Sequence, residues 1–181
     1  MDSLGQHALS CRKHSNRVQR HAQINDLIYP FHRAPIRAEI PSSKEPLGLS
    51  RDDGKRPDGL TLVPWHSGRS TTWDVTVVHT LAASYVAQSS VHAGKAAEIA
   101  VERKSAKYSG LSSSHTFIPV AVESLGPLAD DAHCFITEIG RRMTFSTGDQ
   151  RETTFLYQRI SVAIQRYNAV CLANTYISDP S

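Results

Sequence analysis

The sequence predicts an α/β domain with a β-rich middle flanked by amphipathic helices, on three observations. Residues 59–63 and 71–78 are rich in β-branched and aromatic side chains and are separated by the turn-forming His66-Ser67-Gly68. An alanine-rich stretch at 90–107 and two apolar-periodic stretches nearer the C-terminus repeat at helical spacing. The length of 181 residues, 40% hydrophobic and 20% charged, suits one core rather than two.

Residues 15–29 read as a helix with Val18, Ala22, Ile24, Leu27 and Ile28 on its inner side, ended or kinked by Pro30. A connection containing Pro, Ser and Lys leads to a short strand at 45–49. The two strands of a hairpin between Asp58 and Val78 follow. In the helix at 90–107, Ala93, Ala97, Ala100 and Lys104 share a face whose small side chains allow close packing on a sheet. Residues 116–123 form a fourth strand, and Pro119 places it at an edge or a bulge because proline cannot donate to a ladder. Two amphipathic helices close the chain, one carrying Ala132, Phe135, Ile136, Ile139 and Met143, the other Leu156, Ile160, Ala163, Ile164, Tyr167 and Cys171.

No apolar run approaches the roughly eighteen residues of a membrane span, and the first thirty residues are polar and basic rather than signal-like, so an intracellular, soluble protein is expected. Cys11, Cys134 and Cys171 are too few and too scattered for a disulfide framework, and the latter two fall on apolar helix faces as core residues. Six of the 20 Lys and Arg lie in residues 1–37, against two of the 17 Asp and Glu. Arg12, Lys13, Arg17 and Arg20, interleaved with His14 and His21, read either as a phosphate-tracking face or as a solvated helix surface. There is no glycine-rich phosphate loop and no nucleophile elbow, which argues against a small-molecule enzyme.

The chemistry concentrates in Arg56-Pro57-Asp58-Gly59 and, sixteen residues after Asp58, Trp73-Asp74-Val75. Pro-Asp-Gly is also an ordinary turn sequence. An acid flanked by Trp73, Val75 and Val77 in a β-rich run needs a partner or a cation, and Mg²⁺ held by one or two carboxylates plus phosphate oxygens answers that need. Lys104 and Lys107 are either catalytic cations or a solvated last helical turn that complements the helix dipole.

The order helix, three strands, helix, strand, with two C-terminal amphipathic helices, resembles the core of the PD-(D/E)xK restriction-endonuclease-like fold. The run from Asp52 to Gly59, the Trp73-Asp74-Val75-Thr76 strand, Lys104 with Tyr108, and the strand from Phe117 to Glu123 resemble the endonuclease region at the C-terminus of non-LTR retrotransposon reverse transcriptase polyproteins. That resemblance implies that Asp58 and Asp74 bind Mg²⁺ or Mn²⁺. The family's lysine two residues after the second acid is Thr76 here, so Lys104, with Lys107 and Tyr108 as further candidates on the same helix, takes its place. Glu45 or Glu123 would join the metal shell or remain a solvated strand-end charge.

His7 and Cys11 resemble half of the zinc motif that precedes the nuclease in such polyproteins. Two ligands cannot close a four-coordinate zinc site, so residues 1–14 read as a truncated zinc-motif remnant without zinc and 15–181 as the nuclease domain. The resemblance further implies DNA as partner, a nuclear location, and a reverse transcriptase region in a longer polyprotein. Two functions stand side by side: a Mg-dependent DNA endonuclease that nicks target DNA, and a catalytically inactive transposon remnant that at most binds nucleic acid.

Overall fold

In this computed structural model the described residues are Leu9, 15–29, 40–49, 54–111 and 113–177. They form, in chain order, α1 (Ser15–Ile28), β1 (Ser42–Lys44), β2 (Gly59–Thr61), β3 (Thr71–Val78), the four-residue α2 (Val86–Ser89), α3 (Lys95–Lys107), a 3-10 turn (Ser109–Leu111), β4 (Thr116–Glu123), α4 (Asp130–Thr147) and α5 (Glu152–Ile177). The strands make one sheet in the order β1-β2-β3-β4, antiparallel as far as β3 and parallel between β3 and β4. A parallel pair needs a long crossover, and α2 with α3 supplies it. The mixed α/β architecture expected from the sequence is present, and β4 with its Pro119 lies at the sheet edge.

Helices cover both faces of β3, so alternate residues serve two cores. Trp73, Val75 and Val77 pack with Ile24 and Ile28 of α1, Phe135, Ile136 and Ile139 of α4, and Leu156, Ile160 and Ile164 of α5. On the opposite face Val78 and Ala121 meet Ala96, Ala97 and Ala100 of α3, whose methyl side chains let the helix lie close to the sheet.

Several local expectations shift. The first strand lies at Ser42–Lys44 rather than 45–49, because Glu45 turns the chain with a φ of 42° ahead of Pro46. Helix α3 starts at Lys95, after Gly94 in the left-handed region (φ 87°), which leaves Ala93 exposed outside it. On α1 the buried stripe runs through Arg20, Ile24, Asn25 and Ile28, while Val18 and Ala22 face solvent. Cys171 is buried as expected, but Cys134 is exposed. Pro30, His7, Cys11 and His14 lie outside the described residues. No described helix is long and apolar enough to cross a membrane.

The loop between β2 and β3 is held to α4 through charge. Glu138 accepts hydrogen bonds from Arg141 and Arg142 (2.7 Å each), and Arg142 lies over the Trp65 ring at 3.9 Å while donating to the Trp65 carbonyl at 3.0 Å. The Arg141 hydrogen bond, aided by Arg142 and opposed by burial, lowers the Glu138 pKa to about 2. A carboxyl group with a depressed folded-state pKa adds stability that is complete above its unfolded pKa and is lost as pH falls toward 2. Glu138→Gln is therefore expected to lower the melting temperature at pH 7 and to make no difference near pH 2. The exposure of Arg141 limits the effect to about 1 kcal/mol, a few degrees of melting temperature, measurable in parallel thermal melts across that range.

Candidate metal centre

The site forms where β2 ends and β3 continues. β2 begins at Gly59, opposite Trp73, so the peptide of Val75, which faces the same side of the strand, has no strand neighbour there. Side chains take its place. Asp58, one residue ahead of β2, donates its N–H to the Trp73 carbonyl (2.9 Å), and its Oδ2 accepts the Val75 N–H at 2.6 Å. Nε2 of His21, on α1, lies 2.9 Å from the Val75 carbonyl and 3.0 Å from Asp58 Oδ2.

Asp74 points to the α3 side of β3, where its Oδ1 accepts from Lys104 Nζ at 2.6 Å. Asp74 is 5% exposed, so the buried carboxylate is neutralised by a lysine that the alanine face of α3 brings up to the strand. One ligand atom each from His21, Asp58 and Asp74 lies within 4.8 Å of the others, a group that could hold a metal ion. Burial alone would hold the His21 pKa down. The hydrogen bond and charge of Asp58, the charge of Asp74 and the Val75 carbonyl outweigh it and raise the pKa above the ordinary value.

His21 is the residue that sequence reasoning missed as part of this group. The signal was its position three, four and seven residues before Ile24, Asn25 and Ile28, which places it on the inner face of α1. Tyr108 is buried, stacks on Phe117 with ring centroids 4.5 Å apart, and donates to the Arg56 carbonyl at 3.1 Å, so it secures the approach to Asp58 rather than facing the carboxylates. Glu45 is exposed and contributes its backbone N–H to the Asp58 carbonyl (3.2 Å), not a carboxylate to the group.

Glu123 is also elsewhere. It is 1% exposed, and its Oε1 accepts the N–H groups of Ala96 (2.9 Å) and Ala97 (3.3 Å), while Oε2 accepts from Thr80 (3.2 Å). A carboxylate from the end of β4 thus satisfies the free N–H groups at the start of α3 and favours its dipole.

A cleft of about 370 Å³ opens at Lys104, the partner of Asp74, and is lined among others by Arg17 of α1, Arg103, Lys104 and Lys107 of α3, and Thr76 and Tyr85. No acidic residue is among those lining it. Of the basic residues expected to meet phosphate, Arg12 and Lys13 lie outside the described residues and Arg17 is exposed at the cleft. Arg20 is not on that surface. It is fully buried, donates to Asn168 Oδ1 at 2.6 Å, and its Nε and second terminal nitrogen have no partner among the described residues. Its position four residues before Ile24 puts it on the inner stripe of α1, and burial lowers its pKa.

The sequence matches no model of a known protein family, and no curated protein matches it.

Proposed function

We propose that this domain hydrolyses phosphodiester bonds in DNA with a divalent ion, as a restriction-like endonuclease of the kind found in non-LTR retrotransposon polyproteins. The observation that carries the reading is the convergence of Asp58, Asp74 and Lys104 from three separate stretches of the chain, with Lys104 also lining a cleft that holds Arg17, Arg103 and Lys107. Two carboxylates beside a strand carbonyl suit Mg²⁺ or Mn²⁺, which keep open positions for water and phosphate. Such an ion polarises the scissile phosphate and stabilises the leaving oxygen.

The residues do the rest. Asp74 fixes the Lys104 ammonium beside the reacting centre, where it orients the attacking water. Water adds to phosphorus and gives up a proton, the bond to the sugar oxygen breaks, and that oxygen takes up a proton in turn, so that one end carries phosphate and the other a hydroxyl. Arg17, Arg103 and Lys107 hold the neighbouring phosphates without reading sequence. Thr76, on the Asp74 face of β3, leaves the lysine role to the helix.

The test is supercoiled plasmid incubated with the protein and Mg²⁺ or Mn²⁺: nicked circles accumulate, and chelation or Asp58→Ala stops them. A second reading, a folded remnant that binds DNA without cutting it, draws on Thr76 at the position where the family has lysine. Plasmid binding without nicking under both ions would establish it.

The cleft, rather than the buried part of α1, is expected to set the salt dependence of DNA binding. Arg17→Ala with Arg103→Ala should flatten the slope of log affinity against log salt by roughly two, since each phosphate contact contributes about 0.9. Arg20→Met should leave the slope unchanged, as read by fluorescence anisotropy over a salt series.

A further inference from the structure

We infer that His21 and the Val75 carbonyl belong to the metal's ligand set, and that the site therefore takes a nitrogen-accepting ion, Mn²⁺, in preference to Mg²⁺. The inference rests on reading this cluster as a metal centre.

His21 Nε2 lies 2.9 Å from the Val75 carbonyl oxygen and 3.0 Å from Asp58 Oδ2. Neighbouring ligands of an octahedral ion with bonds of about 2.1 Å lie about 3.0 Å apart. His21 Nε2 is thus spaced as an adjacent ligand to each of these two oxygens, and an Asp74 oxygen lies within 4.8 Å of the His21 and Asp58 ligand atoms.

The imidazole is placed by the fold rather than by chance contact. Asn25, one helical turn after His21, accepts a hydrogen bond from Trp73 Nε1 at 3.0 Å, and Ile24 and Ile28 are buried in the main core. Residues 21 and 25 of α1 therefore meet residues 75 and 73 of β3 as two matched rungs, which fixes the helix against the strand. The Val75 N–H holds Asp58 Oδ2 at 2.6 Å and orients that carboxylate in the same way.

The donor chemistry then selects the ion. Mg²⁺ takes oxygen ligands almost exclusively, whereas imidazole suits first-row transition ions, and Mn²⁺ accepts both donor types. Two carboxylates, a carbonyl and an imidazole form a mixed set of the second kind.

The experiment uses the whole metal-free chain with Mn²⁺ as the probe, followed by electron paramagnetic resonance and by Mg²⁺ competition. Mn²⁺ is expected to bind at least about tenfold more tightly than Mg²⁺, and His21→Ala to remove about tenfold from Mn²⁺ affinity while changing Mg²⁺ affinity much less. His21→Gln serves if the alanine variant does not fold. Independently of any variant, spin-echo modulation of bound Mn²⁺ should show a directly coordinated nitrogen.

Mn²⁺ bound without nitrogen modulation, or His21 variants with unchanged or equally reduced affinity for both ions, would overturn the inference. Nitrogen-coordinated Mn²⁺ without plasmid nicking would refute the nuclease reading and leave this one standing. Full nicking by His21→Ala, with no loss of Mn²⁺ preference, would do the reverse.

Discussion

Asp74→Asn is expected to reduce plasmid nicking to background, a loss of at least about a thousandfold. A metal ion contributes several kcal/mol of charge stabilisation in a transition state, and about 1.4 kcal/mol corresponds to tenfold in rate, so losing one of two carboxylate ligands reaches that scale. The same substitution removes the charge that holds Lys104, whose Nζ lies 2.6 Å from Asp74 Oδ1. Lys104→Ala should also abolish nicking, yet leave DNA affinity nearly intact because Arg17, Arg103 and Lys107 still line the cleft. Asp74→Asn should keep the fold, because the Lys104 side chain is 25% exposed and can turn to water, whereas Lys104→Ala leaves the buried Asp74 carboxylate without its cation and should lower the melting temperature as well. Single-turnover nicking rates, with melting curves as controls, check this. Asp74→Asn protein that nicks at the normal rate would sink the proposal.

The second large effect concerns Gly59. A Cβ added there would lie 2.0 Å from Trp73 Cζ2 and 2.3 Å from Cε2. Trp73 cannot yield. It is 1% exposed, its indole donates to Asn25 at 3.0 Å, and its ring packs against Phe135 with centroids 5.7 Å apart. Overpacking in such a place costs about 3 kcal/mol or more, so Gly59→Ala should lower the melting temperature by roughly 6–12 °C. Gly110→Ala, where an added Cβ meets open space, should change it by less than about 2 °C. Thermal or urea denaturation of the two variants decides the point. Because Gly59 adjoins Asp58, the same change should also disturb the candidate metal site.

Gly59 also illustrates what a linear reading overlooks. The β-rich run from residue 59 already puts Gly59 on a strand, as β2 has it, but gives no hint that the indole of Trp73 leaves no room there for a side chain. Glu123 is a similar case. As a charge at a strand end it was open to a metal role, and only the approach of α3 to the end of β4 makes it the acceptor for two helix N–H groups. Arg20 looked like one more member of a basic surface because charge is counted along the chain, whereas burial follows the helical stripe set by Ile24 and Ile28.

What the sequence by itself determined is the mixed α/β class, the order of the longer elements and several of the residues rich enough in chemistry to matter. Period-two and period-3.6 patterns report local geometry, and an acid inside a β-rich run such as Asp74 is costly enough to announce a partner. The tertiary structure decided who that partner is. Strand β2 begins only at Gly59, so the Val75 peptide has no β2 neighbour, and the Asp58 carboxylate and His21, brought in by α1, take that place. His21 is 37 residues from Asp58 in the chain. Its role follows from the docking of α1 on β3, which no local pattern encodes.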